Sequence, residues 1–298
     1  FIAEYIINYP HENIRLFKMN NVKKFELIID DELTDTLDGY YTFGKQGTHK
    51  IIVKSMYLTD LSNLFNGCNS LYRLYDFVQK GAQNTDYLFS GCINLISLDL
   101  SKFNTSKIKN MAGMFSYCFK LNSLNLTLFN TDNAIDMSYM FIQNRALKYL
   151  NLSTFNTKKV TTMRKMFAEC DELKSISLSN FDTRNVRDMN GMFEGSSSIE
   201  SLDLSHFDTR NVENMERMFL SMFSLTSLDI SNFDTQKVTT MKEMFSLCES
   251  LTSIDVSKFN TSQVCDMSFM FETCYEVKEL DVSNFKTAKV VNMERMFS

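Results

Sequence analysis

The stretch Leu202-Asp203-Leu204-Ser205-His206-Phe207-Asp208-Thr209-Arg210-Asn211-Val212-Glu213-Asn214-Met215-Glu216-Arg217-Met218-Phe219 decides the fold. Leu202 to Ser205 alternate apolar and polar, as a short strand with one buried face does. Val212, Met215, Met218 and Phe219 then fall at i, i+3, i+6 and i+7, the stripe of a short amphipathic helical segment. Between the two, Asp208 and Thr209 carry the short oxygen side chains that accept from free N–H groups at a helix start. The predicted unit is strand, turn, short helical or 3₁₀ return segment, turn.

Outward from this unit the chain repeats. Phe-Asn/Asp-Thr recurs at Phe103, Phe129, Phe155, Phe181, Phe207, Phe233 and Phe259, and the variant Phe285-Lys286-Thr287 continues it, always 26 residues on. Met-x-x-Met-Phe keeps the same register from Met111 to Phe297 and holds sixteen of the 19 Met. Two degenerate copies end at Phe65 and Phe89. One unit buries too few side chains to offset the ordering of its own backbone, so stability requires stacked coils, as in other solenoids. The Met, Phe and Leu stripes are therefore predicted to form one continuous interior.

The consensus Leu-x-Ser-Leu-Asp-Leu-Ser-x-Phe-Asp-Thr-x-x-Val-x-x-Met-x-x-Met-Phe-x-x-Cys-x-x-Leu resembles the repeat of the BspA-like leucine-rich repeat surface proteins, and the likeness covers residues 57–298. The resemblance implies a leucine-rich-repeat solenoid and a cell-surface or extracellular role in adhesion, with no enzymatic activity. The expected fold is α/β: a solenoid of about ten units over residues 57–298, with a parallel sheet of short strands and short helical or 3₁₀ return segments. Residues 1–56 lack the repeat and are predicted to form a small β-rich cap, with strands over Phe25 to Ile29 and Thr48 to Val53.

Composition removes several function classes. A net charge of -5, with 36 acidic against 31 basic residues, argues against a general nucleic-acid binder, and no apolar run is long enough to span a membrane. The three His residues, His11, His49 and His206, stand apart from any Ser and acid arrangement, and no Gly-rich phosphate loop occurs, so neither an enzyme nor a cofactor is expected. No Cys-x-x-Cys occurs, which argues against zinc. Cys68, Cys92, Cys118, Cys170, Cys248 and Cys274 form one column, predicted to be unpaired thiols packed as small hydrophobes, although coil spacing alone allows a bridge.

The remaining candidates lie on the surface. Asp99, Asp203, Asp229, Asp255 and Asp281 share an outward strand column that Asn125 and Asn151 continue, suited either to a solvated ladder or to a cation or basic partner. A basic column follows the Thr: Lys107, Lys158, Lys159, Arg184, Arg210, Lys237 and Lys289, expected to pair with Asp188, Glu213 or Glu243. Residues that break the pattern, Tyr149, His206, Phe119, Phe223 and Tyr275, are the better contact candidates, because partners are gripped by a few anchors. The predicted function is a non-enzymatic binding module, an adhesin-like repeat domain engaging protein or glycan. The alternative is a structural spacer or filament subunit: the chain stops in mid-unit at Met296-Phe297-Ser298, and this C-terminal coil is a candidate for end-to-end self-association.

Overall fold

The computed structural model describes residues 1–18, 25–34, 38–54, 59–79 and 81–298. Six strands open the chain: β1 (Ile2–Ile7), β2 (Asn13–Arg15), β3 (Glu26–Ile29), β4 (Glu32–Thr34), β5 (Tyr40–Thr42) and β6 (Gly47–Lys54). The coils add β7 (Leu71–Tyr75), β8 (Ser97–Leu98), β9 (Tyr149–Asn151), β10 (Ser175–Ser177), β11 (Ser201–Asp203) and β12 (Ser227–Asp229). A six-stranded sheet in the order β4-β3-β6-β1-β7-β8 joins the N-terminal strands to the first coil strands, and β2 pairs separately with β5. Both strands expected in residues 1–56 are present as β3 and β6. The boundary placed between residues 56 and 57 lies outside the described residues.

The N-terminal segment closes the first coil. The Phe1 ring meets Phe17, Phe65 and Phe77 edge to face at 6.4, 5.2 and 5.7 Å. Tyr5 Oη and Cys68 Sγ both donate to the Leu16 carbonyl. From there one apolar cluster runs through every coil to Met296. Along it the Phe of Met-x-x-Met-Phe stack from Phe65 to Phe297, with centroids 5.4–6.0 Å apart and ring planes within 16°.

The α/β expectation fails in the return arm, which contains neither α-helix nor 3₁₀ segment among the described residues. In the coil 241–248 the N–H groups divide between two tasks, apart from that of Lys242, which donates to Thr240 Oγ1 at 3.3 Å. Those of Met241, Glu243, Phe245 and Leu247 donate to Asp266, Ser268, Met270 and Glu272 of the next coil at 2.8–3.0 Å. Those of Met244, Ser246 and Cys248 close tight turns on Met241, Glu243 and Phe245 at 3.1–3.3 Å. Every second donor is thus spent outside the segment, which a helix, bonding within itself, does not allow. Glu243 and Leu247 also sit at φ of 56° and 60°, in the left-handed region that no right-handed helix admits. Consecutive turns happen to bury i, i+3, i+4 and i+7, Met241, Met244, Phe245 and Cys248, so the apolar spacing is that of a helix while the backbone is not.

The continuous hydrogen-bonded ladder lies on this return arm. Single parallel bridges link Asp60, Asn84, Asn110, Asp136, Thr162, Asp188, Asn214, Thr240, Asp266 and Asn292 in turn. Among the described residues the coil strands of the opposite face, expected to form one parallel sheet, pair with one another in twos: β7 with β8, β9 with β10 and β11 with β12. Ring spacing changes in the same sense. Phe103, Phe129 and Phe155, from the Phe-Asn-Thr triplets, are 6.2 and 6.4 Å apart. The bonded ladder is thus continuous along the return arm and interrupted on the strand face.

The triplet Thr replaces missing ladder bonds. Thr209 is buried; its hydroxyl donates to Asp234 O at 2.9 Å and accepts from Asp234 N at 2.8 Å. Thr105, Thr131, Thr157, Thr183, Thr235 and Thr261 do the same to the coil that follows. The residue before it forms a turn instead of a helix cap: Asp208 Oδ1 accepts from Arg210 N at 3.3 Å.

Two expectations follow. Thr209→Val keeps the shape but removes both hydroxyl bonds, and should cost about 2 kcal/mol in urea unfolding, whereas Thr209→Ser should cost under about 1 kcal/mol. Ser221 stands at φ 59°, so Ser221→Gly should raise the unfolding midpoint, by up to about 1 kcal/mol once the added chain entropy is set against the relieved strain, and Ser221→Val should lower it.

Candidate functional site

The strand face carries the Asp column, and each carboxylate there is first a turn residue. Asp99, Asp203, Asp229, Asp255 and Asp281 accept the N–H of the Ser two positions on at 2.9–3.0 Å. Ser205 and Ser257 add their hydroxyls at 2.6 Å. These hydrogen bonds hold all five carboxyls below the usual Asp range. Asn125 and Asn151 accept in the same way from Thr127 and Ser153. The carboxylates are exposed, and parallel pairing sets Asp203 beside Asp229.

The pattern-breaking residues occupy two places. Tyr149 is 65% exposed on β9, opposite Ser175 of β10. His206, also exposed, donates from Nε2 to the Leu178 carbonyl at 2.9 Å and lays its ring edge on Phe207. Phe119, Phe223 and Tyr275 share one repeat position in the turn after the return arm. Tyr275 is 75% exposed and Phe223 41%, while Phe119 is half-buried under the Arg145 guanidinium, 5.1 Å from its centroid, with Tyr117 against its edge. The structure therefore does not gather the candidates into one patch.

The basic column pairs locally. Arg184 and Arg210 bond Asp182 and Asp208 of their own coils at 2.8 Å, and Lys159, Lys237 and Lys289 reach Asn133, Asn211 and Gln263 in the preceding coil. The partners expected for it bind other cations: Asp188 pairs with Arg164, Glu213 with Arg187 and Glu243 with Arg217.

All seven Cys are free thiols. Those of the column are also donors. Cys92, Cys118, Cys170, Cys248 and Cys274 point Sγ at the Phe carbonyl of the preceding coil at 3.1–3.2 Å. Asn144 and Ser196 fill the same slot with an amide and a hydroxyl at 2.8 and 2.6 Å. Burial pushes the Cys118 and Cys170 thiols up to about 12, so they are poor nucleophiles at neutral pH.

The sequence does not single out Tyr87, whose ring lies against Gly113 on the return arm. The signal is the small dipeptide Ala112-Gly113: the same two positions hold Arg164-Lys165, Glu216-Arg217 and Lys242-Glu243 in other coils.

Acid should act through the Asp column. Its folded pKa values lie below the unfolded ones, so its contribution is complete above about pH 4 and is lost as pH falls through the folded values. A variant with Asn at 203, 229, 255 and 281 keeps the turns, as Asn125 and Asn151 do. Its melting temperature should fall less than that of the parent between pH 5 and acid; an equal fall would contradict this role.

Comparison with known proteins places the repeat. A leucine-rich repeat protein from Bacteroides ovatus is similar to the chain at 16% identity and a TM-score of 0.46, covering 88% of this chain and 66% of that one. A leucine rich cell surface protein from Faecalibacterium prausnitzii is similar at 15% identity and a TM-score of 0.30, covering 80% and 76%. The chain thus spans 66% of the length of the Bacteroides protein. No curated protein matches. The family model described as "Mycoplasma protein of unknown function, DUF285" matches residues 59–151, 142–228 and 221–298, and the chain belongs to that family.

Proposed function

We propose that this array is a non-enzymatic binding module that works at a cell surface and engages a protein or glycan partner. The observation that carries the reading is the exposure of large aromatic side chains at repeat positions that several other coils fill with small or polar residues. Tyr149 is 65% exposed in a column that is Ser at 97, 123, 175, 201, 227 and 253 and Glu at 279, and Tyr275 is 75% exposed in a column that holds Asp171, Ser197 and Glu249 beside Phe119 and Phe223. Folding gains little from such rings in water, whereas partner recognition draws on them, since Tyr buries a large area with few rotatable bonds. The rigid coils between supply spacing and no chemistry.

The test is a screen of the whole chain against immobilised matrix proteins and glycans, followed by Tyr149→Ser and Tyr275→Ser on whatever binds. Each change should leave the melting temperature within a degree or two and weaken binding roughly tenfold, as loss of one aromatic anchor does. Silence across the screen, or hits that both variants bind unchanged, would count against the reading.

A further inference from the structure

On the strand side, the residue before each triplet Phe normally bridges to the preceding coil. Asn180 donates to the Ser153 carbonyl, His206 to Leu178, Asn232 to Ser205, Lys258 to Ser231 and Asn284 to Ser257. Leu128 holds this position in its coil and has no polar atom to do so. It is 67% exposed, and beside it lies a cleft of about 60 Å³ lined by Leu98, Leu100, Leu128 and Phe129 with the polar Asp99 and Asn125. Ser101 also lines the cleft, and its carbonyl, the counterpart of those on Ser153 and Ser205, accepts no hydrogen bond among the described residues. Residues 123–127 form no strand, so no ladder crosses the gap.

From the cleft toward β9 the face turns aromatic and uncharged. Tyr149 is exposed on β9 with Ser175 opposite it on β10. Asn151 shares its face two residues on, and Asn125, at the edge of the cleft, holds the same position one coil earlier. Asn125 Oδ1 accepts from the Thr127 amide and hydroxyl at 3.1 and 2.8 Å, and Asn151 Oδ1 from the Ser153 amide at 3.0 Å. Their Nδ2 groups are left as exposed donors that meet no acceptor among the described residues. Asp203, Asp229, Asp255 and Asp281 fill this position in later coils, so the neutral amides are confined to this stretch. Lys102 and Lys148, at its borders, are taken up by Asp76 and Glu172. The Phe103, Phe129 and Phe155 rings underneath are 6.2 and 6.4 Å apart, which with the rise of a strand puts Tyr149 roughly 10–15 Å from the cleft.

An exposed ring, free amide donors and a small apolar cleft with an unclaimed carbonyl suit a ligand that is uncharged, has apolar faces and carries hydroxyl and amide groups. A protein partner would want a deeper pocket for its anchor side chains. We infer that the stretch from Leu128 to Tyr149 binds a neutral oligosaccharide containing an N-acetylated sugar, with one ring stacked on Tyr149 and the acetamido group of a neighbouring ring in the Leu128 cleft. Asn125 and Asn151 would donate to sugar oxygens between the two. In the cleft the acetamido methyl would meet Leu128 and Leu98, and its N–H would donate to the Ser101 carbonyl. The inference rests on the reading of the chain as a binding module and names the class of ligand that its Tyr149 position takes.

The test compares di-N-acetylchitobiose with cellobiose, which share a linkage and differ by the acetamido groups. Each is titrated into the whole chain to about 20 mM, a range suited to a shallow site. Resonances of the Tyr149 ring and the Leu128 methyls report the place of binding, and saturation transfer to the sugar reports affinity in the variants. Di-N-acetylchitobiose should shift both residues saturably, and cellobiose should bind about fivefold more weakly or worse, for want of one methyl contact and one hydrogen bond. Leu128→Asn supplies the bridge that Asn180 and Asn232 make, so it should hold or raise the melting temperature while weakening di-N-acetylchitobiose about fivefold or more. Tyr149→Ser should weaken both sugars. Equal affinity for the two sugars, unchanged affinity in Leu128→Asn, or no shift at Tyr149 and Leu128 would overturn the inference. Shifts at Leu128 with N-acetyl-leucine methylamide and with neither sugar would overturn it too, in favour of a protein partner. A matrix protein captured through Tyr149 would stand whatever the sugars do, so the two readings fail separately.

Discussion

The structure depends on how the return arm spends its backbone donors. Alternate N–H groups reach the next coil while those between close local turns, so each coil is tied to its neighbour at every second residue across the Met-x-x-Met-Phe segment. The Phe stack follows from this spacing, since ring planes within 16° of one another need coils in strict register. A one-residue slip would turn Met and Phe outward and bring polar residues into the core. The cost is backbone strain: two positions in each coil take positive φ, and most are not Gly. Burial of a continuous Met and Phe interior offsets it.

Much of this was legible in the residues. The 26-residue period, the buried faces and the unpaired thiols follow from spacing and side-chain character. The return backbone was not legible, because apolar residues at i, i+3, i+4 and i+7 mark an inward face and not a hydrogen-bond pattern. Leu247 and Phe269 at positive φ carry no sequence signal at all; Gly67, Gly91, Gly113, Gly191 and Gly195 in those columns hint at it. Thr209 was legible as a short oxygen side chain and misread as a cap, since nothing in Phe-Asp-Thr says that the hydroxyl bonds the next coil.

Surface function was harder to read because repetition makes every column look like a site. The Asp column illustrates the point: a row of carboxylates resembles a ligand set, yet each one already closes a turn with its own Ser. The informative positions are the ones where one coil departs from the others, and their meaning depends on the neighbouring coils.

Gly113 and Gly191 show this most clearly. Both occupy the same repeat position and both have positive φ, at 57° and 59°. Over Gly191 the space is taken by a built-in ion pair: a Cβ there would lie 2.6 Å from Glu194 Oε2 and 3.0 Å from Lys165 Cγ, and Lys165 Nζ lies 2.8 Å from that carboxylate oxygen. Over Gly113 the space is taken by a tyrosine ring: a Cβ there would lie 2.5 Å from Cδ1 and Cε1 of Tyr87. Because backbone bonds on both sides hold each coil in place, the space over a missing side chain is filled by a neighbouring side chain and not by collapse of the backbone. At both positions Gly is what admits the neighbouring coil's side chain, since a Cβ there would overlap it.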